Sequence, residues 1–367
     1  MKILFDGYIF RMQRAGGINR YVAEIISGLP ADFLPVVTGV EDFGKNAPRH
    51  PNLQRLCYKQ FRPGRISRRY YDTWWKPRVL RGIDLFHPTY YHLSTGYSLS
   101  DFKCPMVLTV HDFVYAIYPK LTEGSEEVLR DQTAAIRRAD FVICVSRATE
   151  NDLLERFPEK RGQTAVIYHG SSFEIQPPLA EQKIFENPAF LFVGGRAGYK
   201  NFAFLLRAFA KASGSNSRIR LRVAGAPLSS EERWQVHLLG IGDRVEEMVY
   251  PDEQQLKSLY RSSVALVYPS FHEGFGIPPL EAMACRTLAI TSNATSLPEV
   301  VGDGGIMLDP KREDDWVDCL LKAAAGGADR DSMIERGLER VRMFSWKTTV
   351  DRHLEIYRRL GRPQVNE

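Results

Sequence analysis

Two carboxylates separated by seven residues, Glu273 and Glu281, stand in the stretch "SFHEGFGIPPLEAMAC" (270–285). Each can accept two hydrogen bonds from hydroxyl groups. Between them, Gly274, Phe275 and Gly276 form a turn whose backbone amides stay accessible, a pocket suited to an anion or a hydroxyl. Pro279 suits the first position of a helix, which places Glu281 at the third. There an acid also favours the helix dipole, so Glu281 has a structural reading beside the chemical one. Glu273 sits at a strand end and has no such structural duty.

Cations come from "FVGGRAGYKNFAFLL" (192–206), where Arg196 and Lys200 lie between an apolar strand and a helix. Gly194, Gly195 and Gly198 do not have the spacing of a dinucleotide fingerprint, and Lys200-Asn201 is not the Lys-Ser/Thr of a P-loop. Gly16 and Gly17, in "FRMQRAGGINRYVAEI" (10–25), precede a helix and let its amides approach a phosphate. His111 follows the strand "MVLTV" directly, where a histidine either orients a ligand or is held as a structural residue. His87 and Ser146-Arg147 also end strands. No metal site is expected: the Asp329-Arg330-Asp331 pair reads as the start of a helix, and cations with helix N-termini take the place of a metal.

These groups need elements to hold them. Short apolar runs predict strands over 2–5, 34–37, 85–87, 106–110, 141–145 and 165–168, alternating with amphipathic helices over 18–28, 126–139 and 148–157. Ser146 is the expected N-cap of the third helix. A proline-bearing polar stretch then interrupts the pattern. It restarts with strands over 189–193, 218–224, 245–250, 264–268 and 287–291 and helices between them. The alternation predicts an α/β protein of two doubly wound Rossmann-like domains facing a central cleft, with ligands outside the carboxyl ends of the strands. The expected division is 1–175, a linker at 176–187, a second domain at 188–343, and a helical segment 344–367 crossing back to the first domain.

Composition narrows the class. Of 367 residues, 44% are hydrophobic and 25% charged, and the formal net charge is +5. The five cysteines are scattered and never in a Cys-x-x-Cys spacing, which argues for reduced thiols in a cytoplasmic setting. "MKILFDGYIF" has no secretory core, and no apolar run approaches the ~18 residues of a membrane span. The positive charge is local: residues 62–81, "RPGRISRRYYDTWWKPRVLR", carry seven Lys/Arg against one Asp, interleaved with Tyr70, Tyr71, Trp74 and Trp75. That mixture suits an anionic membrane surface, and equally a solvated helix face with its rings in the core. Oligomeric state is not readable.

The segment "YPSFHEGFGIPPLEAMACRTLAITSNATSLPEVVGDGGIMLDP" (268–310) resembles the signature of retaining family-4 glycosyltransferases of the GT-B fold, which carry a Glu, seven residues and a second Glu. The resemblance extends over nearly the whole chain. It implies that Glu273 contacts the donor sugar, Glu281 holds the ribose hydroxyls, and Arg196 and Lys200 meet the diphosphate. It also places Gly16 and Gly17 against the donor phosphates and His111 near the sugar. Arg286-Thr287-Leu288 replaces the usual Gly-Thr-Pro, and His169-Gly170 replaces a common Asn-Gly. The implied reaction moves a hexose from a nucleotide-diphosphate sugar, GDP-mannose first and UDP-glucose second, to a glycan or polyprenyl-diphosphate-linked acceptor in surface polysaccharide synthesis. The donor would be held by the second domain and the acceptor by the first, at the inner face of the membrane. No separate cofactor and no nucleic-acid partner are implied. An NAD-dependent oxidoreductase and a noncatalytic nucleotide-sugar-binding protein are the alternatives.

Overall fold

The computed structural model of the chain describes all residues except 14–15, 41, 45, 58–65, 67–69, 71–72, 74, 94–97, 123, 179–186, 327–328 and 362–367. The chain divides into two compact units: unit 1 is Met1–Ala116, Gly124–Gly170 and Trp346–Glu367, and unit 2 is Ile117–Glu123 and Ser171–Ser345.

Unit 1 is a parallel sheet of strands β1 (Lys2–Asp6), β2 (Leu34–Thr38), β3 (Gln54–Leu56), β4 (Leu85–Phe86), β5 (Val107–Val110), β6 (Phe141–Cys144) and β7 (Thr164–Val166). One ladder runs β3-β2-β1-β4 and another β5-β6-β7, joined by a parallel bridge from Phe86 to Met106. All four residues of both β5 and β6 are buried, as expected of parallel strands covered on two faces. Helix Gly17–Ser27 buries Tyr21, Val22, Ile25 and Ile26, one stripe at helical spacing. Helix Trp346–Leu360 does the same with Val350, Leu354 and Tyr357, and both stripes join one core with Ile3, Phe5 and Leu85. Each such side chain contributes roughly 1.5–3 kcal/mol by leaving water. The two helices meet closely at Gly28, where a Cβ would lie 2.6 Å from Val350.

Unit 2 has six parallel strands, β8 (Ala189–Val193), β9 (Arg220–Gly225), β10 (Val245–Val249), β11 (Ala265–Tyr268), β12 (Leu288–Ser292) and β13 (Gly305–Leu308). Their order is β10-β9-β8-β11-β12-β13. The chain reverses its direction of winding between β8 and β11, so loops after these strands diverge and leave a crevice. Phe190, Phe192, Leu221, Val267 and Ile290 form the core with Leu205, Phe209 and Trp316. In unit 1 the corresponding reversal lies between β1 and β4.

Four sequence expectations change. The edge strands β3 and β13 were not foreseen. Residues 117–123 were assigned to the first domain, but they are part of unit 2. The linker was expected to begin at 176, yet the Gln176 backbone N–H donates to Ala284 O at 2.9 Å and its backbone carbonyl accepts from Arg286 Nε at 3.0 Å, which fixes it to unit 2. Residues 179–186 of that linker lie outside the described residues, as does half of the basic-aromatic segment 62–81. Of its four aromatics, Tyr70 is exposed and Trp75 half-buried.

Candidate active site

The loops after β8 and β11 meet at the reversal point of unit 2. Beyond β8 the backbone turns at Gly194 (φ 116°) and passes through a short turn, Gly198–Lys200. Asn201 then takes a left-handed conformation (φ 58°). Its amide donates to Pro269 O at 3.2 Å and Pro310 O at 2.9 Å, which anchors the Lys200 backbone to the neighbouring strand ends. Phe271 N donates to Tyr199 O at 2.8 Å and ties the two loops together.

The result is a direct pair between two candidates. Lys200 Nζ lies 2.7 Å and 2.8 Å from the two carboxylate oxygens of Glu273 and 3.0 Å from the Tyr268 hydroxyl. Burial alone would lower the Lys200 pKa. The Glu273 charge beside it more than offsets this and holds the ammonium well above the ordinary lysine range. Glu273 is itself clasped by its backbone: its N–H donates to Thr295 Oγ1, and its carbonyl accepts from Thr295 Oγ1 and Ser296 Oγ. Ser296 Oγ also donates to Phe275 O at 2.9 Å, so it braces the Gly274–Gly276 turn.

Gly276 has φ 109°, and a Cβ there would lie 2.8 Å from Leu297 Cδ2. It is the N-cap of helix Ile277–Ala284. That corrects the expected register. The helix begins two residues before Pro279, so Glu281 is its fifth residue and lies outside the first turn. Its carboxylate is buried and accepts from the Tyr260 hydroxyl at 3.0 Å.

Arg196 is held by partners within unit 2. Its guanidinium donates to Glu232 at 2.7 Å, Ala226 O at 2.9 Å and Pro227 O at 2.6 Å, and its side chain is 7% exposed. It latches the loop after β8 to the loop after β9, so the cation beside Glu273 is Lys200. The segment Ile117–Glu123 adds a residue the sequence reading missed: the Tyr118 ring lies 6.3 Å from Phe271 and 6.1 Å from His272.

In unit 1, Gly16 is the N-cap of helix Gly17–Ser27 and, being glycine, supplies no side-chain cap of its own. His111 is buried after β5, and burial lowers its pKa to about 3, so its ring is neutral. It belongs to a buried group with His87, His169 and His353, threaded by hydroxyls. His353 Nδ1 lies 2.7 Å from Thr349 O and must donate to that carbonyl. Burial lowers the His353 pKa to about 4, so Nε2 is unprotonated and accepts from the Tyr21 hydroxyl at 2.6 Å. Tyr21 then accepts from Thr109 at 2.9 Å, and Thr109 accepts from His87 Nε2 at 3.0 Å. His87 Nδ1 accepts from the Tyr357 hydroxyl at 2.6 Å. One carbonyl thus sets the direction of every proton in the chain. His111 meets this group through its ring, edge-on to Tyr21 at 5.2 Å.

Among the described residues, one group could gather metal-ligand atoms, His92, Glu127 and Asp131, within 4.8 Å of one another. No helix among the described residues is long and apolar enough to cross a membrane.

Comparison with known proteins gives these loops a context. The family profile described as "Glycosyltransferase Family 4" matches residues 15–173, and that described as "Glycosyl transferases group 1" matches residues 179–340. The O-antigen chain mannosyltransferase B of Escherichia coli is 28% identical over 98% of this chain and 100% of its own length. The D-inositol 3-phosphate glycosyltransferase of Mycolicibacterium smegmatis is 29% identical over 77% of this chain and 70% of its own. Among solved structures, sucrose-phosphate synthase from Thermosynechococcus elongatus superposes with a TM-score of 0.78 over 98% of both chains at 24% identity, a likeness of fold.

Proposed function

Because this chain belongs to the family-4 glycosyltransferases of the GT-B fold and is a hexosyltransferase, we propose that it moves a mannosyl residue from GDP-mannose, with retention, to a glycan acceptor in surface polysaccharide synthesis. The observation that carries the reading is the Lys200–Glu273 pair at the reversal point of unit 2. The likeness to a mannosyltransferase along its whole length supports the choice of sugar. UDP-glucose is the second donor to test.

In the proposed step the bond between the anomeric carbon and the β-phosphate oxygen breaks. The acceptor oxygen bonds to the same face of that carbon, and its proton passes to the departing phosphate. Negative charge grows on the diphosphate as the bond lengthens, and the Lys200 ammonium stabilises it. Glu273 accepts hydrogen bonds from hydroxyls of the donor sugar, and Glu281 from those of the ribose. Phosphate oxygens compete with Glu273 for Lys200, so donor binding loosens the pair and frees a carboxylate oxygen for sugar.

The composition of residues 62–81 supports a polyprenyl-diphosphate-linked acceptor at the inner membrane face. Binding to anionic vesicles that weakens with added salt is the expected result, and no binding removes that support. The reaction itself is tested by incubating the chain with GDP-mannose or UDP-glucose and methyl α-D-mannopyranoside, reading the product anomer by NMR. An α-linked product is expected. Folded Lys200→Ala and Glu273→Ala variants that transfer at near-normal rates would sink the assignment of the site.

A further inference from the structure

The reversal point of unit 1 carries an aromatic group that the donor chemistry leaves unused. Tyr8 follows β1, Tyr90 and His92 follow β4, and Tyr115 follows β5. The Tyr8 and Tyr90 rings lie 5.9 Å apart and within 16° of parallel. The His92 ring is 4.9 Å from Tyr8. Tyr8, Tyr90 and Tyr115 are half-buried, and the His92 side chain is 48% exposed, so these rings form a rim and not a core.

The rim is built rigidly. A Cβ on Gly7 would lie 2.0 Å from Val40 Cγ2 and 2.5 Å from Thr38 O, so only glycine allows the turn that delivers Tyr8. Ile9 N donates to the buried Thr89 Oγ1 at 3.1 Å, which clasps the loop after β1 to the loop after β4. Polar groups stand at the edge. His92 Nδ1 donates to Asp131 at 2.8 Å, which leaves Nε2 as the ring's outward-bonding nitrogen, and the half-buried Asp112 carboxylate follows β5.

We infer that Tyr8, Tyr90 and His92 form a platform for a pyranose ring of the acceptor glycan. A pyranose has an apolar face of axial C–H groups and an edge of hydroxyls. Parallel aromatic rings offer the first a partner, while a carboxylate-bound histidine and Asp112 offer the second. Open parallel sheets take ligands at this reversal point, and partly exposed rings backed by polar groups fit a neutral sugar better than an anion. The inference rests on the transfer reading above and adds the place and chemistry of acceptor recognition.

The test is saturation-transfer NMR on the full chain with methyl α-D-mannopyranoside, methyl β-D-glucopyranoside and methyl β-D-galactopyranoside. Tyr8→Ala, Tyr90→Ala, Tyr8→Phe and, as a control in unit 2, Tyr250→Ala are compared. At least one glycoside should receive saturation at its ring C–H protons. Tyr8→Ala and Tyr90→Ala should weaken its binding about threefold to tenfold, while Tyr8→Phe and Tyr250→Ala leave it unchanged. Thermal stabilisation by GDP and UDP is measured on each variant as a check of folding and of unit 2. No enhancement with any glycoside, or enhancement equal in Tyr8→Ala and Tyr90→Ala, overturns the platform while nucleotide stabilisation persists. Loss of nucleotide stabilisation in the unaltered chain would instead strike the transfer reading.

Discussion

Lys200 and Glu273, one after β8 and the other after β11, are joined by both carboxylate oxygens at 2.7 Å and 2.8 Å with their side chains 15% and 10% exposed. Each neutralises the other where neither could stand alone. Glu273→Gln therefore leaves a buried ammonium beside Tyr268 and Tyr199 with no carboxylate to balance it. Its cost should be about 3–5 kcal/mol in urea unfolding, and the double variant Glu273→Gln/Lys200→Met should cost clearly less than the sum of the two single changes. Additive costs would mean the pair is not coupled.

The histidine group makes unit 1 sensitive to acid. Burial holds His111 at about 3, His353 at about 4, and His87 and His169 well below the ordinary range. In the unfolded chain each would take a proton near pH 6.5. Stability is therefore full above about pH 6.5 and falls as pH drops toward the folded values, because only the unfolded state gains protons. Each histidine adds a slope of about 1.4 kcal/mol per pH unit in that window. Urea midpoints at pH 7.5, 6 and 5 check this, and His353→Gln should reduce the slope by about one histidine's share. A flat profile would contradict the buried neutral group.

Gly170 has a packing duty that its place in the motif does not reveal. A Cβ there would lie 2.3 Å from the Trp346 backbone nitrogen and 2.5 Å from its ring. Gly170→Ala should push Trp346 and helix Trp346–Leu360 outward and cost about 1–3 kcal/mol. Gly195→Ala, where a Cβ meets nothing within 4 Å, should be close to neutral in the same thermal melts.

Much of the architecture was legible because parallel strands must be apolar: β8, over Ala189–Val193, appears at its expected bounds. The two missed strands are edges. Neither β3 (QRL) nor β13 (GIML) holds a fully buried residue: β3 carries no apolar run, and the short apolar run of β13 opens on the Gly304-Gly305 pair, which reads as a turn. Lys200 and Glu273 were legible singly as a cation and an acid at strand ends. Their pairing was not, because it depends on β8 lying next to β11. The partner of Arg196 was not legible for a similar reason: charge identifies a cation but not its partner, and Glu232 lies in the helix Ser230–Leu238 that follows β9. The place of Glu281 turned on which residue starts a helix. Pro278 and Pro279 both suit a first turn, and only the backbone of Gly276 decides. The histidine chain draws on residues 87, 109, 21, 353 and 357, which no local pattern connects.

Glu281 gives a test that separates ribose from phosphate. Glu281→Gln keeps the volume beside Tyr260 but removes the charge. It should reduce stabilisation by GDP while leaving stabilisation by inorganic pyrophosphate unchanged in thermal melts. Equal loss with both ligands would place Glu281 in a general structural role.

In the proposed reaction Lys200 meets the donor diphosphate. The most direct measurement is thermal stabilisation of the unaltered chain and of Lys200→Ala by GDP, UDP and NAD. A nucleotide at about 100 times its dissociation constant adds about 2.7 kcal/mol. One nucleoside diphosphate should stabilise the unaltered chain to this extent, Lys200→Ala should lose most of the effect, and NAD should give none. Equal stabilisation of both proteins, or a response to NAD alone, would contradict it.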